Sequence, residues 1–288
     1  MQTVLSLLID SLAFGMVLFI ISAGLAITMG LMRVINLAHG AFAMVGGYLA
    51  SYAMSALGAP YAMALAVAVG GTALIAAAAE YLLYRRLYER ADPFQQILMT
   101  IGITFLLIGI ANWIFGPTLK TIPLPSAISG STDLGFRAIP TNRIFVAACG
   151  GAVAILLYFL IAKTSFGLRL RATVDNARMA ASLGLRTGRI YALSFVLASA
   201  LAALGGVIGA EILPIEPYYA LRYMVVFLVV VSVGGSGSTD RALLAALFLG
   251  FADTTGRYIA PDYGDFFFYL AVIAAVLTVH RNSLGQLA

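Results

Sequence analysis

Residues 11–32 read SLAFGMVLFIISAGLAITMGLM, a stretch without a single charge. A helix needs about 20 mostly apolar residues to cross the hydrocarbon core of a bilayer. This stretch meets that length, and the rest of the chain repeats the pattern. Residues 40–79 are also charge-free and long enough for two crossings, with Gly58, Ala59 and Pro60 as the turn between them. Residues 93–119, 144–162 and 190–210 each supply one more. Residues 223–239 end in Gly234, Gly235, Ser236 and Gly237, residues 242–258 are interrupted by Asp253 and Arg257, and residues 266–279 are short. The expected fold is therefore all-α: a polytopic membrane protein of eight or nine transmembrane helices. Some of these are broken or re-entrant, which is tolerated only inside the protein. The 288 residues form one transmembrane domain.

Composition agrees. Of the residues, 62% are hydrophobic and 10% charged, against about 25% charged in a soluble domain, and mean hydropathy is +1.00. So few charges exclude a water-soluble enzyme, and so much apolar mass excludes disorder. One cysteine, Cys149, excludes a disulfide framework, and two distant histidines argue against a histidine metal site. The net charge of +5 is topological rather than a nucleic-acid footprint. The first 14 residues lack the basic start of a cleaved signal peptide, and Asp10 interrupts them, so the first helix is expected to be retained.

Alternating crossings place Arg33, Arg85, Arg86, Arg90, residues 163–189, Arg241 and Arg281 on one side. That side then holds 12 of the 17 basic residues, and the positive-inside rule makes it cytoplasmic. The N-terminus and the loop 117–141 are then external. Tyr81, Tyr84 and Tyr88 fall near a cytoplasmic end and Trp113 near an external end, as interfacial aromatics do.

The longest polar stretch inside is 163–189. Asp175 reads as an N-cap and Gly184 as the residue just past a helix end. Between them Ala177, Ala180, Ala181 and Gly184 fall at helical spacing on one face. A stripe of small residues admits the close approach of another surface, and so short a helix is marginal alone in water. An ordinary helical loop between spans has the same pattern.

The block Gly167-x-Arg169-x-Arg171-Ala172, followed by Asp175, Ala177, Ala180-Ala181 and Leu183-Gly184, resembles the coupling loop of bacterial ABC-importer permeases, most closely the branched-chain amino-acid permease family. Arg33-Val34-Ile35-Asn36-Leu37-Ala38-His39-Gly40 resembles that family's signature after the first long span. Gly234-Gly235-x-Gly237-Ser238 and Arg281-x-x-Leu284-Gly285 add two weaker matches. The chain departs from the family pattern at Asn176 before Ala177, at Thr239-Asp240-Arg241, and at Asn282 after Arg281.

The resemblance implies a bacterial inner-membrane importer subunit. Its partners would be two cytoplasmic ATPase subunits, a second permease (homologous or identical), and a periplasmic substrate-binding protein. The solute would be a branched-chain or related amino acid; relatives in the same family carry urea, short amides or aromatic acids. The coupling residues would be Arg171, Asp175, Ala177, Arg178, Ala180, Ala181 and Gly184. No cofactor is expected on this chain: a P-loop needs Gly-Lys-Ser/Thr, and neither lysine, Lys120 nor Lys163, follows a glycine. ATP and magnesium would sit on the ATPases.

Two glycine-flanked segments are candidates for the solute pathway. Asn36, His39 and Gly40 form one, and Gly234 and Gly235 the other. Each also has a plainer reading: Asn36 as a helix cap with His39 on a nearby carbonyl, and the glycines as a flexible inner loop. Asp253 and Arg257 stand one helical turn apart and are expected to pair. An ion-coupled carrier would need a deep carboxylate, and only Asp253 approaches that description. An intramembrane enzyme would need paired carboxylates, a metal motif or a nucleophile with its base, and none is visible.

Overall fold

The computed structural model describes residues 2–32, 36–86, 92–133, 138–235 and 237–284, with backbone alone at 2, 3, 31, 32, 93, 133, 265 and 278–284. Arg33, Val34, Ile35, Tyr88, Arg90, Arg137, Ser236 and Gly285 fall outside the described residues.

The chain forms α1 (Gln2–Met32), α2 (His39–Leu57), α3 (Tyr61–Leu82), α4 (Pro93–Phe115), α5 (Thr141–Lys163), α6 (Ser165–Asp175), α7 (Ala177–Ser182), α8 (Thr187–Ile208), α9 (Tyr219–Gly234), α10 (Thr239–Ile259) and α11 (Gly264–Leu284). Six of these are long and apolar enough to cross a membrane: α1 to α5 and α8. α9 and the apolar part of α11 are shorter. The expected all-α class needs one amendment. The 117–141 loop carries a small antiparallel ribbon, β1 (Ser131–Asp133) with β2 (Ala138–Pro140), in which Thr132 lies opposite Ile139.

α1 is the hub. Every residue from Val17 to Thr28 is buried, as befits a helix that is apolar on all sides and enclosed by protein. Lipid tails are as apolar as leucine, so helices in a membrane associate through close packing rather than the hydrophobic effect. Small residues allow that approach here. A Cβ on Gly250 of α10 would stand 2.6 Å from the Cα of Gly15, and one on Gly24 would stand 2.5 Å from the carbonyl oxygen of Ala198 in α8. A Cβ on Gly46 would meet the Cα of Ala203 at 2.6 Å, and one on Gly206 would run into the carbonyl oxygen of Ala43. The α1–α10, α1–α8 and α2–α8 contacts are thus nearly backbone to backbone.

Contacts also sort the connections into two ends. At one end Arg143 pairs with Asp10 at 3.3 Å and Asn142 donates to Glu211 at 2.7 Å. The 117–141 loop joins there too, with Lys120 N–H donating to the Ile215 carbonyl at 2.9 Å. At the other end Gly237 N–H donates to the Ala26 carbonyl at 2.9 Å, and α6 packs on α1 and α5.

Candidate functional site

Three features cluster the residues singled out by sequence. The first is a buried polar turn. Asn36 is 2% and His39 1% exposed. Asn36 Oδ1 accepts from the Ala38 backbone N–H at 3.1 Å, an Asx-type turn in which the side chain replaces a backbone acceptor. The same oxygen accepts from the Tyr84 hydroxyl at 3.1 Å. Tyr84 is therefore no interfacial aromatic. It turns inward from the single 3-10 turn after α3, lies against the Phe195 ring with centroids 4.5 Å apart, and burial pushes its hydroxyl pKa up. Tyr81 and Trp113 do face outward, at 65% and 86% exposure.

Asn36 is not the residue that caps α2; Ala38 holds that place and makes no side-chain cap bond. His39 does sit on a backbone carbonyl, as the plainer reading expected, but one distant in sequence. Its Nε2 lies 2.8 Å from the carbonyl oxygen of Ile21, 18 residues away. Ile21 is 11 residues from the end of α1, roughly 16 Å along the axis at 1.5 Å per residue. α2 thus begins at about half the depth of the bundle. Gly40 there faces Ala220 of α9, whose Cα a Cβ would approach to 3.3 Å. The starts of α2 and α9 therefore meet inside the protein, as broken helices of transporters do. His39 Nδ1, Asn36 Nδ2 and the Tyr219 hydroxyl have no partner among the described residues.

Gly234 and Gly235 lie elsewhere. They form the tight turn between α9 and α10, where a Cβ on Gly234 would reach the Ala242 backbone at 2.8 Å and Gly235 has φ +85°. That turn is pinned to Ala26 through Gly237. Ala26 and Ile21 are about 7.5 Å apart along α1, so the two candidate segments touch one helix at neighbouring levels.

The second feature is the 163–189 loop. It holds two helices, not one. Asp175 is the last residue of α6, and the N-cap of α7 is Asn176, whose side chain accepts from Met179 N–H at 3.0 Å. Asp and Asn cap almost equally well, so composition left the choice between adjacent residues open. Gly184 lies where expected. Leu185 N–H donates to the Ala180 carbonyl and Gly184 N–H to the Ala181 carbonyl, at 3.1 and 3.0 Å. This is a Schellman ending, with Gly184 at φ +85°. The small-residue stripe divides. Ala180 is buried, Ala177 half-buried, and Ala181 and Gly184 exposed. The outward surface carries Arg171, Asp175, Arg178 and Ala181 beside Met179 and Leu183, which are 60% and 77% exposed.

The third feature was only partly legible. At the Asp10 end a cavity of about 650 Å³ is lined by residues of α1, α5, α9, α10, α11 and the chain before α9. Charged residues on its walls are Asp10, Arg143, Arg222, Asp253 and Arg257. Asp253 accepts from Arg257 Nε at 2.9 Å, the pair expected from their spacing. Asp10–Arg143 and Glu216–Arg222 (2.9 Å) complete the set. The first of these joins α1 to α5 across 133 positions of sequence, so no local spacing signals it.

The family described as "Branched-chain amino acid transport system / permease component" matches residues 7–276. The high-affinity branched-chain amino acid transport system permease protein LivH of Escherichia coli K12 is 26% identical over 290 residues, covering 96% of this chain and 94% of its own. BraD of Pseudomonas aeruginosa, with the same description, is 26% identical over 292 residues, covering 97% and 95%. Among solved structures, PsaBC from Streptococcus pneumoniae in complex with Fab has a TM-score of 0.49 and 17% identity over 93% of this chain and 89% of that one. With the family match running through nearly every helix, the chain belongs to the branched-chain amino acid transport permeases.

Proposed function

We propose that this chain is a membrane-spanning permease subunit of an ATP-binding-cassette importer that carries branched-chain or related amino acids into a bacterial cell. The observation that carries the reading is the near end-to-end match to LivH and BraD, both described as branched-chain amino acid permeases. Those names favour an aliphatic amino acid over urea, amides or aromatic acids.

In this reading eight or nine segments pass through the inner membrane, drawn from α1 to α5 and α8 to α11, with α2 and α9 as broken helices that start inside the protein. The chain performs no hydrolysis. Two ATPase subunits bind ATP and magnesium in the cytoplasm, and the exposed surface of α6 and α7 rests on one of them. Arg171 and Arg178 pair there with acidic side chains, while Ala181 and Gly184 allow close seating. Asp175 ends α6 beside this surface. ATP-driven closure moves α6 and α7, and α6 transmits the shift through its packing on α1 and α5. A second permease, homologous or identical, completes the path, and a periplasmic binding protein delivers the solute. Asn36, His39 and Gly40, with Gly234 and Gly235 at the α9–α10 turn beside α1, form the inner part of the pathway.

The test is co-purification with the genomically neighbouring subunits, reconstitution in liposomes, and measurement of leucine-stimulated ATPase activity. Ala181→Glu and Gly184→Glu should each abolish the stimulation while the complex or its fold persists. Leucine accumulation without any ATPase subunit would sink the importer reading and turn attention to Asp253 and a driving ion.

A further inference from the structure

We infer that the cavity at the Asp10 end is a binding site for the zwitterion of an aliphatic amino acid, an inference that rests on the importer reading. Its size comes first: about 650 Å³ lies within the 300–1,000 Å³ typical of small-molecule pockets. Its walls come second. Phe14 and Leu18 of α1, Val226 of α9 and Phe268 of α11 supply apolar surface, and five charged side chains share the same space.

The signs of those charges decide the ligand. Asp10 and Asp253 are acidic; Arg143, Arg222 and Arg257 are basic. Each belongs to an ion pair within the protein, and Asp253 is the most enclosed, with its side chain 10% exposed. Arg143, Asp10, Arg222 and Arg257 keep 29–62% of their side chains in contact with solvent, whereas the enclosed Asp253 charge is tolerated only while paired. A simple carboxylate that took the Arg257 guanidinium would strand Asp253, and a simple amine that took Asp253 would displace Arg257. A zwitterion brings one charge of each sign, so it inserts into a pair and leaves every charge matched. The apolar walls then receive its side chain. A charge ring over an apolar pocket therefore selects a compound with both groups on one carbon and a hydrocarbon tail.

The ring is also placed to respond to movement. Its members come from α1, α5, α9 and α10, so a shift of α10 against α1 alters the distance between Asp253 and Asp10.

The experiment uses the assembled importer in nanodiscs, without ATP, and leucine carrying a diazirine as a photoreactive probe. Labelling is expected at Phe14, Leu18, Val226 or Phe268. Excess leucine should suppress it; leucinol, lacking the carboxylate, and 4-methylpentanoate, lacking the ammonium, should not. Val226→Trp, which fills the cavity and leaves every charged residue of the sequence unchanged, should lower both labelling and ATP-driven leucine uptake at least tenfold.

Wild-type uptake with labelling confined to other residues overturns the inference and leaves the importer standing. So does equal competition by leucinol or the acid. Labelling suppressed by phosphatidylethanolamine but kept in phosphatidylcholine assigns the cavity to a lipid headgroup and overturns it as well. Absence of any ATP-driven leucine uptake by the wild-type assembly removes the importer reading itself.

Discussion

Replacing Gly250 by alanine should loosen the bundle at its hub. The new Cβ would stand 2.6 Å from both the Cα and the nitrogen of Gly15, and 2.9 Å from the carbonyl oxygen of Ser11. All three are backbone atoms, so no side chain can swing aside. Non-bonded carbons settle at about 3.5–4.0 Å, so α1 and α10 must part by about 1 Å at this crossing. Overpacking of that kind costs about 1–3 kcal/mol. Alanine also gains up to about 1 kcal/mol over glycine in a helix, which would mask part of the loss. Gly70→Ala in α3 supplies the control, because a Cβ there meets nothing within 4 Å. The propensity gain is common to both variants, so their difference isolates the packing term. At roughly 2–4 °C per kcal/mol for a chain approaching this size, Gly250→Ala should melt about 2–12 °C below Gly70→Ala in detergent. Gly15→Ala should fall between them, since its nearest contacts are 3.0 and 3.1 Å. Equal melting temperatures for the Gly250 and Gly70 variants would show that the backbone contact between α1 and α10 is not the packing constraint described.

Three further outcomes are expected. Tyr84→Phe leaves Asn36 Oδ1 without one of its two donors in a site 2% exposed, and should cost about 1–2 kcal/mol in thermal or chemical unfolding. Asn176→Ala should weaken α7 by about 1 kcal/mol and reduce leucine-stimulated ATPase several-fold, whereas the same change at Asp175 should leave helix content unaltered by circular dichroism; the opposite order would restore Asp175 as the cap. Gly184→Ala places a Cβ at φ +85°, costs about 1–2 kcal/mol locally, and should weaken ATPase association in a pull-down titration without lowering the melting temperature of the isolated permease.

The helices were legible because a bilayer demands long uncharged runs, and residues 11–32 or 144–162 have no other use for such a composition. Gly184 was legible because a left-handed helix ending selects glycine for a local steric reason. Asp253 and Arg257 were legible through helical spacing. What sequence could not supply was tertiary. His39 carries no sign that its partner is Ile21, nor Tyr84 that it turns toward Asn36. The adjacent Asp175 and Asn176 compete for one role, and hydrogen-bond geometry alone chose between them. Nothing in the sequence signals that the surfaces of Gly46 and Gly47 are taken by Ala203 and Ile215. The charged cavity needs segments from both ends of the chain, so its existence was invisible until they were brought together.

The enclosure of α1 has a consequence for biosynthesis. It leaves the ribosome well before the helices that cover its glycines, α8 and α10, which follow by about 170 to 230 residues. At a synthesis rate of about 5–20 residues per second, α1 waits roughly 10–45 s in lipid with Gly15 and Gly24 uncovered. During that interval the same smooth flanks that later admit α8 and α10 are open to any other helix nearby. The most central element of the finished protein is thus the most exposed to wrong partners while it is being made.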